Sequence, residues 1–241
     1  MAFDQVAALF EFSKIDLIQV AHFLLALYLS ITVHEAAHAW MANRCGDDTA
    51  RLMGRMSLNP IVHIDPIGTV LVPLVQVFAA GMPLIGWAKP VPVNPLRFRN
   101  MRRGEVLVSL AGPASNFLMA VATLILCWIV TAALRYGAQT FVAAESQTLW
   151  EHFGEAILGF LLVLLMLNLV LCLFNLIPIP PLDGSHILKV FLSRETAERL
   201  DRLLMPPFNF VILLFVVLPL VSPIFELVMK AAVFLIGVWW T

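Results

Sequence analysis

Four long apolar runs dominate the pattern of hydrophobic and polar positions along this chain of 241 residues. They occupy residues about 17–43, 106–134, 156–177 and 208–240. An α-helix needs about 20 residues to cross a bilayer, and each run is that long. The pattern therefore predicts an all-α membrane protein: a polytopic helical bundle of about four to six membrane segments in a single integral membrane domain.

The region between the first two runs, residues about 50–100, is apolar but irregular. Ile67 to Gly86 is long enough to be a span, yet prolines and glycines interrupt it repeatedly. Irregular backbone at membrane depth is tolerated where protein or a water-filled cavity covers it. We therefore predict a re-entrant segment here. Prolines at 219 and 223 also interrupt the last run, where the pattern leaves a kink and a turn equally open.

The composition agrees with a bilayer as the main solvent. Hydrophobic residues make up 61% of the chain and charged residues 13%, with a mean hydropathy of +0.90. A soluble domain has about 45–50% apolar and about 25% charged residues. The net charge of −1 does not provide the basic stripe that nucleic acid requires, so we predict no nucleic-acid partner.

Basic residues are distributed unequally among the segments that join the apolar runs. Segment 44–103 holds eight Lys and Arg, segment 178–207 holds four, and the 135–154 loop holds only Arg135. Because cytoplasmic loops retain Lys and Arg, we predict that 44–103 and 178–207 are cytoplasmic and that the N-terminus faces outward. The expected location is a bacterial-type plasma membrane.

The first apolar run contains a polar motif at residues 34–38, which reads HEAAH. His34 and His38 are four residues apart, so they project from one helix face about one turn from each other, as two ligands of one zinc ion would. Glu35 can then act as general base toward a water molecule whose pKa the metal lowers toward about 7. Ordinary polar helix residues are the weaker alternative, since polar residues inside a membrane are costly and usually functional.

The depth of this motif follows from the helical rise. Asn43 marks the polar boundary of the run, about 14 Å from His34 along the helix. We therefore expect the site near the cytoplasmic side but below the membrane surface, where hydrolysis requires a water-accessible cavity.

Catalytic zinc usually has three protein ligands and one open position, so a third ligand must come from another segment. The candidates near predicted membrane boundaries are Asp65, Asp183, His63 and His186. Asp183 follows prolines that break a helix, and Gly184 permits a tight turn. An aspartate at such a break can point into the protein, or it can be the N-cap of a helix from Ser185. Spacing alone leaves both interpretations open.

Four features together resemble the site-2 protease family of intramembrane zinc metalloproteases. They lie in the family's order within residues 20–195 and are His34–His38, Leu58–Pro60 with His63–Pro66, Gly112–Asn116, and Asn175–Gly184. The resemblance implies that His34, His38 and Asp183 bind one Zn²⁺ per chain and that Glu35 activates water. It also implies that Asn175 stabilises a developing oxyanion and that Asn116 organises the core. Interhelical hydrogen bonding is an equal interpretation for Asn116.

The chain looks like a minimal form of that family, because residues 135–154 are too few for a PDZ domain. Residues 86–94 resemble the family's small membrane-associated β element. Pro90 and Pro92 lack an N–H and share one side of an extended chain, so only the edge of Lys89, Val91 and Val93 can donate. We hypothesise that an unwound substrate pairs with this edge as a strand. A proline-stiffened loop is the alternative.

Together these observations predict a zinc-dependent intramembrane endopeptidase that hydrolyses peptide bonds in or near transmembrane segments. The expected partners are a transmembrane protein or peptide substrate and membrane lipid. A membrane metal-binding or transport protein without proteolytic activity is the alternative, since polar residues in spans also carry cations. It is less favoured because the candidate ligands do not lie in repeated halves of the chain.

Overall fold

A computed structural model of the chain describes residues 17–80, 87–140, 144–204 and 208–237. The described residues are mostly helical and contain no β-strand. In chain order the helices are α1 (Leu17–Cys45), α2 (Thr49–Leu52), α3 (Val72–Ala80), α4 (Met101–Thr140), α5 (Ala144–Asn175), α6 (Asp183–Phe191), α7 (Arg194–Leu203), α8 (Phe208–Ile212) and α9 (Leu218–Gly237).

Three helices have stretches that are long and apolar enough to cross a membrane, namely Ile18–Cys45, Met101–Tyr136 and His152–Asn175. They correspond to the first three predicted spans, so the prediction of a helical membrane protein is confirmed. The fourth predicted span is not among the candidate spans found in the described residues. Its described part is α8, a π-helical turn at Leu213–Val217, and α9.

The prolines of this C-terminal segment do not produce a turn. Pro219 lies in the first turn of α9, where a missing N–H breaks no bond within that helix. Pro223 lies inside α9, and the helix nevertheless continues to Gly237. Directly before α9, Leu213–Val217 forms a π-helical turn, in which main-chain hydrogen bonds join residues five apart instead of four.

The helices α1, α4 and α5 pack together and form the body of the protein. Ala26 of α1 lies in a buried cluster with Val163 and Leu164 of α5, where the small side chain lets the two backbones approach. Asn168 and Ser30, both fully buried, join α5 to α1 through a 2.9 Å bond from the amide Nδ2 to the hydroxyl oxygen. The other face of α4 exposes large apolar side chains, as a lipid-facing surface does, among them Phe117, Leu118 and Ile129.

The predicted re-entrant region is more regular than expected over its described part. Pro66–Leu71 is π-helical and leads directly into α3, while residues 81–86 lie outside the described residues. Asp65 begins this helical stretch, because its carboxylate accepts from the N–H groups of Ile67 and Gly68 at 2.9 and 2.7 Å. Pro73 lies just after the change from π-helix to α-helix, inside the continuous helical stretch from Pro66 to Ala80.

The predicted β element is not present as a strand. The described part of that segment, residues 87–94, has no ladder with a second strand and instead makes single hydrogen bonds to several different parts of the chain. A strand is defined by such pairing, so the segment is a loop, as the proline-stiffened alternative proposed.

Asp47, a buried residue just after α1, anchors the end of that loop. Its carboxylate accepts from the Asn94 N–H at 2.6 Å, from the Thr49 N–H at 3.0 Å, and from the Thr49 hydroxyl. Burial alone raises the pKa of Asp47, but the hydrogen bonds from Asn94 and Thr49 outweigh it and hold the pKa below its ordinary value.

We predict that Asp47→Asn lowers the free energy of unfolding at neutral pH by about 1–3 kcal/mol, the scale of hydrogen bonds to a charged group. The pKa is lower in the folded state, so this contribution is present above the unfolded-state value of about 3.9 and is lost as pH falls through the folded-state value. Denaturation in detergent as a function of pH measures it. Asp48→Asn, at the neighbouring and more exposed carboxylate, should show a smaller loss.

Candidate metal centre

The two histidines of the HEAAH motif lie one turn apart on the buried side of α1. His34 and His38 are each 8% exposed, and their Nε2 atoms face each other at 3.0 Å. The rings are nearly perpendicular, with centroids 4.6 Å apart. The helical spacing therefore brings the two nitrogens to one point, as the sequence predicts.

Helix α4 sets the orientation and the protonation of both rings. The Nδ1–H of His38 donates to the main-chain oxygen of Val108 at 2.7 Å, and the Nδ1–H of His34 donates to Asn116 Oδ1 at 2.8 Å. A neutral imidazole with its proton on Nδ1 has a lone pair on Nε2. Both Nε2 atoms are consequently prepared to act as ligands.

Asp183 completes the cluster from a distant part of the chain. Its Oδ2 atom lies 3.2 Å from His34 Nε2 and 3.3 Å from His38 Nε2. Asp183 is the first residue of α6, the N-cap is Leu182, and no side chain caps that end. The alternative that Asp183 is the N-cap of a helix from Ser185 is therefore not observed.

The turn before α6 delivers Asp183 to the histidines. Ile177 and Leu182 pack with Leu213 in a buried cluster that holds the proline-rich stretch against the C-terminal segment. A Cβ at Gly184 would lie 2.3 Å from the Leu176 main-chain oxygen, so no larger residue fits this close approach of α6 to the turn. Glycine at 184 thus allows the approach, as the sequence suggests.

The three atoms fit a metal cation. Two lone-pair nitrogens and a carboxylate oxygen converge within 3.0–3.3 Å, and Asp183 Oδ2 is a buried atom without a hydrogen-bond donor among the described residues. A proton bridges only two of these atoms, whereas a cation accepts electron pairs from all three. Tetrahedral zinc with bonds of about 2.0–2.2 Å places its ligand atoms roughly 3.3–3.6 Å apart, close to the observed separations.

Gly112 of α4 faces the same point. A Cβ at this position would lie 2.4 Å from His38 Nε2 and 2.5 Å from His34 Nε2. The absent side chain leaves room directly beside the two ligand atoms. Val108, Gly112 and Asn116 follow one another at four-residue intervals, so a single face of α4 supplies both hydrogen-bond acceptors and the space.

Glu35 is half-buried and contacts the loop at 87–94. Its Oε2 atom accepts from the Val91 N–H at 3.0 Å. Among the described residues the group that could hold a metal ion comprises His34, His38 and Asp183 and does not include Glu35. A carboxylate beside the ligands but outside their set is suited to proton transfer.

The hypothesis of an open donor edge on this loop is wrong for the described conformation. The Lys89 N–H donates to the His63 main-chain oxygen at 3.0 Å, and the Val91 N–H is held by Glu35. Two of the three predicted donors are therefore already used within the chain. Alternation along the segment predicts which N–H groups share an edge, but it does not reveal which distant acceptor occupies them.

The other candidate ligands have different partners. The Nε2–H of His63 donates to the Ser57 main-chain oxygen at 2.8 Å, and Asp65 caps the helical stretch after it. His186 is exposed. Asn175 ends α5 and donates from Nδ2 to the Leu171 main-chain oxygen at 3.0 Å.

The positions around the cluster differ in how far the sequence identifies them. Gly112 and Asn116 belong to the motif that carries the family resemblance, and their spacing places them on one helix face. The acceptor at Val108 is a main-chain oxygen, which residue identity does not predict. Arg55, which holds the loop beside Glu35, is a single basic residue in an irregular segment without periodicity.

Similarity to known proteins agrees with this geometry. The sequence model of peptidase family M50 matches residues 22–218. The chain is 43% identical over 168 residues to the "Putative zinc metalloprotease YwhC" of Bacillus subtilis, covering 70% of this chain and 68% of that protein. It is 30% identical over 200 residues to the "Putative zinc metalloprotease Rip2" of Mycolicibacterium smegmatis, covering 83% of this chain and 68% of that protein.

A third relative matches over a shorter region. The chain is 34% identical over 121 residues to the regulator of sigma-E protease RseP of Escherichia coli, which covers 46% of this chain and 26% of RseP. No solved structure matches the chain significantly.

We predict that Gly112→Ala abolishes stable zinc binding, because the added methyl group would stand 2.4 Å from a ligand nitrogen and displace the rings. Metal analysis of the purified protein should fall from about one zinc ion per chain to a small fraction of that. Gly159→Ala is the matched control, since its Cβ would meet the His22 ring at an ordinary 3.8 Å. Equal zinc content in the two variants would contradict the assignment of this space to the metal.

We predict that Asn116→Ala weakens zinc binding by about 10–100-fold, the usual effect of removing the partner that orients a histidine ligand. Zinc competition against a chelator measures the affinity. Asn168→Ala tests a second fully buried asparagine, one that bonds Ser30 rather than a ligand. An affinity loss of the same size in both variants would point to general destabilisation instead.

Proposed function

The chain belongs to peptidase family M50, and from that membership and the geometry of the cluster we propose that His34, His38 and Asp183 hold its catalytic zinc ion and that Glu35 is the general base. The protein is a zinc-dependent intramembrane endopeptidase. The observation that carries the residue assignment is the convergence of three electron-pair donors, without a proton donor between them, inside apolar helices.

The proposed roles divide the chemistry among these residues. When bound, zinc polarises the scissile carbonyl and lowers the pKa of water, which supplies a nucleophile at neutral pH. Glu35 takes the proton from the attacking water and passes it to the departing amine, while Val108 and Asn116 hold the histidine rings in place through their Nδ1–H groups. No covalent bond between enzyme and substrate is needed.

Asn175 is the proposed oxyanion-stabilising residue. Its Nδ2 uses one of two amide hydrogens in the bond to the Leu171 oxygen. The second is the hydrogen that we assign to the developing negative charge on the scissile carbonyl oxygen. Asn175 ends α5 eight residues before Asp183, so one break in the helical chain supplies both groups.

We place the active site near the cytoplasmic side. The Arg99 N–H donates to the Cys45 main-chain oxygen at 2.9 Å, so the end of α1 and the start of α4 lie at the same end of the bundle. The segment between them is the one with eight basic residues. Retention of such segments in the cytoplasm supports this orientation.

We also propose that the helical stretch of residues 66–80 enters the membrane and that the chain is back on the same side at residue 87. The helical part, residues 66–80, extends about 22 Å, which is less than the bilayer core of about 30 Å. The Trp87 N–H donates to the Gly68 oxygen at 3.1 Å, and the Lys89 N–H donates to the His63 oxygen at 3.0 Å. The chain therefore comes back to the level at which the segment begins.

The proposed substrate is a transmembrane segment of another membrane protein, together with the lipid that surrounds both. The site lies within helices that have apolar, exposed outer faces, so a substrate reaches it laterally from the bilayer. A helix offers no main-chain groups to a protease because they are bonded internally, so the segment must unwind locally before cleavage.

We predict that Glu35→Gln reduces cleavage of a transmembrane reporter by about 10²–10⁴-fold and leaves the zinc content unchanged, because general base catalysis contributes that much. Asp183→Ala should lose both activity and zinc. Proteoliposomes that contain a reporter cleaved by the wild-type protein provide the assay. Glu155→Gln, at an exposed position of α5, is the control. Wild-type cleavage by Glu35→Gln would refute the assigned base.

A further inference from the structure

Arg55 is a buried cation beside the loop at 87–94. It is 7% exposed, and its Nη2 atom donates to the main-chain oxygens of Lys89 and Pro90 at 2.6 and 3.3 Å. None of the ion pairs among the described residues includes Arg55, and its Nε atom is buried without an acceptor there. A buried cation with carbonyl partners alone is costly unless other groups compensate its charge.

Glu35 is the group that compensates the charge of Arg55, and one peptide unit lies between the two side chains. The carbonyl of Pro90 and the N–H of Val91 belong to the same peptide group. Arg55 contacts its oxygen, and Glu35 Oε2 accepts from its N–H at 3.0 Å. The cation and the anion thus align one peptide dipole between them, an arrangement in which each hydrogen bond strengthens the other.

The planarity of the peptide makes this contact directional. The peptide group is rigid, so holding the Pro90 oxygen also sets the direction of the Val91 N–H. Pro90 and Pro92 have no N–H, which leaves Val91 as the sole main-chain donor of the three residues 90–92. The bond engages the Oε2 atom of Glu35.

The local fold places Arg55 beneath this peptide. The short helix α2 is followed by Gly54, whose φ of +68° lies in the left-handed region that favours glycine. The Arg55 N–H then donates to the Ala50 oxygen at 2.8 Å, which turns the chain back toward the loop. The Lys89 N–H bond to His63 and the Asn94 N–H bond to Asp47 fix the loop on either side.

We propose that Arg55 is a positioning residue for catalysis: it holds the Pro90–Val91 peptide so that the Val91 N–H orients the Glu35 carboxylate toward its substrate water. This proposal rests on the assignment of Glu35 as the general base. It gives the loop a role in the reaction itself, in addition to any contact with substrate. Misplacement of a catalytic group by about 1 Å can reduce a rate by about 100-fold, so such a positioning contact has a measurable effect.

The test is a double-mutant cycle with Arg55→Gln and Val91→Pro. The first removes the cation, and the second removes the N–H, while Val91→Ala keeps the N–H and is the matched control. Each single change should lower kcat for a cleavable transmembrane reporter by about tenfold with KM changed less than about twofold. The double variant should be little slower than either single variant, because both changes break the same contact. Arg55→Lys, which keeps a cationic donor, should recover part of the loss.

Three further measurements separate positioning from folding and from the assignment of the base. Zinc content and thermal stability should stay near wild type in Arg55→Gln, and hydrogen exchange at the Val91 amide should become faster. A raised KM with unchanged kcat, additive effects in the cycle, or faster cleavage in Arg55→Gln would each overturn the proposal. Activity of Glu35→Gln would refute only the assignment of Glu35 as the base. The exchange rate of the Val91 amide would still show whether Arg55 holds the Pro90–Val91 peptide.

Discussion

The hydrogen bonds from the two histidine Nδ1–H groups to α4 are the interactions on which the site depends. They join α1 to Val108 and Asn116, and they leave both Nε2 lone pairs directed at one point. Without them each ring would rotate and exchange tautomers, and the third ligand would have no defined position to meet. Because polar groups in an apolar interior need partners, the same bonds that prepare the ligands also hold α1 against α4.

This constraint explains why the nearby positions are small or irregular. Helices α1 and α4 must approach closely for these bonds to form, and Gly112 allows α4 to do so at the level of the histidines. Asp183 must arrive from a third direction, so the chain leaves α5 at Asn175, turns through prolines, and starts α6 at the carboxylate. Gly184 allows that start to pack against the turn. Gly112, the proline-containing turn and Gly184 each interrupt the regular, bulky apolar sequence, and each meets one geometric requirement of the cluster.

The predictable and unpredictable parts of the structure differ in the range of the forces that determine them. Spans and the pairing of His34 with His38 follow from hydrophobic length and helical period, which are local properties. The family resemblance identifies Asp183 as the candidate third ligand. Spacing alone leaves a ligand and a helix N-cap as equal interpretations of this residue. The loop at 87–94 was misjudged as an open edge, since its acceptors, His63 and Glu35, lie 26 and 56 residues away in sequence. The sequence pattern also does not predict the helical character of residues 66–80. Their glycines and prolines indicate a broken helix, and the pattern does not show that the Asp65 side chain caps the start of the helical stretch.

The segment between α1 and α4 therefore has two connected roles. Asp47 and Arg55 both act on the main chain of residues 89–94, one from each end, and each is a buried charge whose partners are chiefly backbone groups. Burying such charges is unfavourable without hydrogen-bond partners, so the loop position that gives both charges main-chain partners is favoured. That position presents the Val91 N–H to Glu35. The stability of this segment and the orientation of a carboxylate beside the His34–His38–Asp183 cluster thus depend on the same few hydrogen bonds.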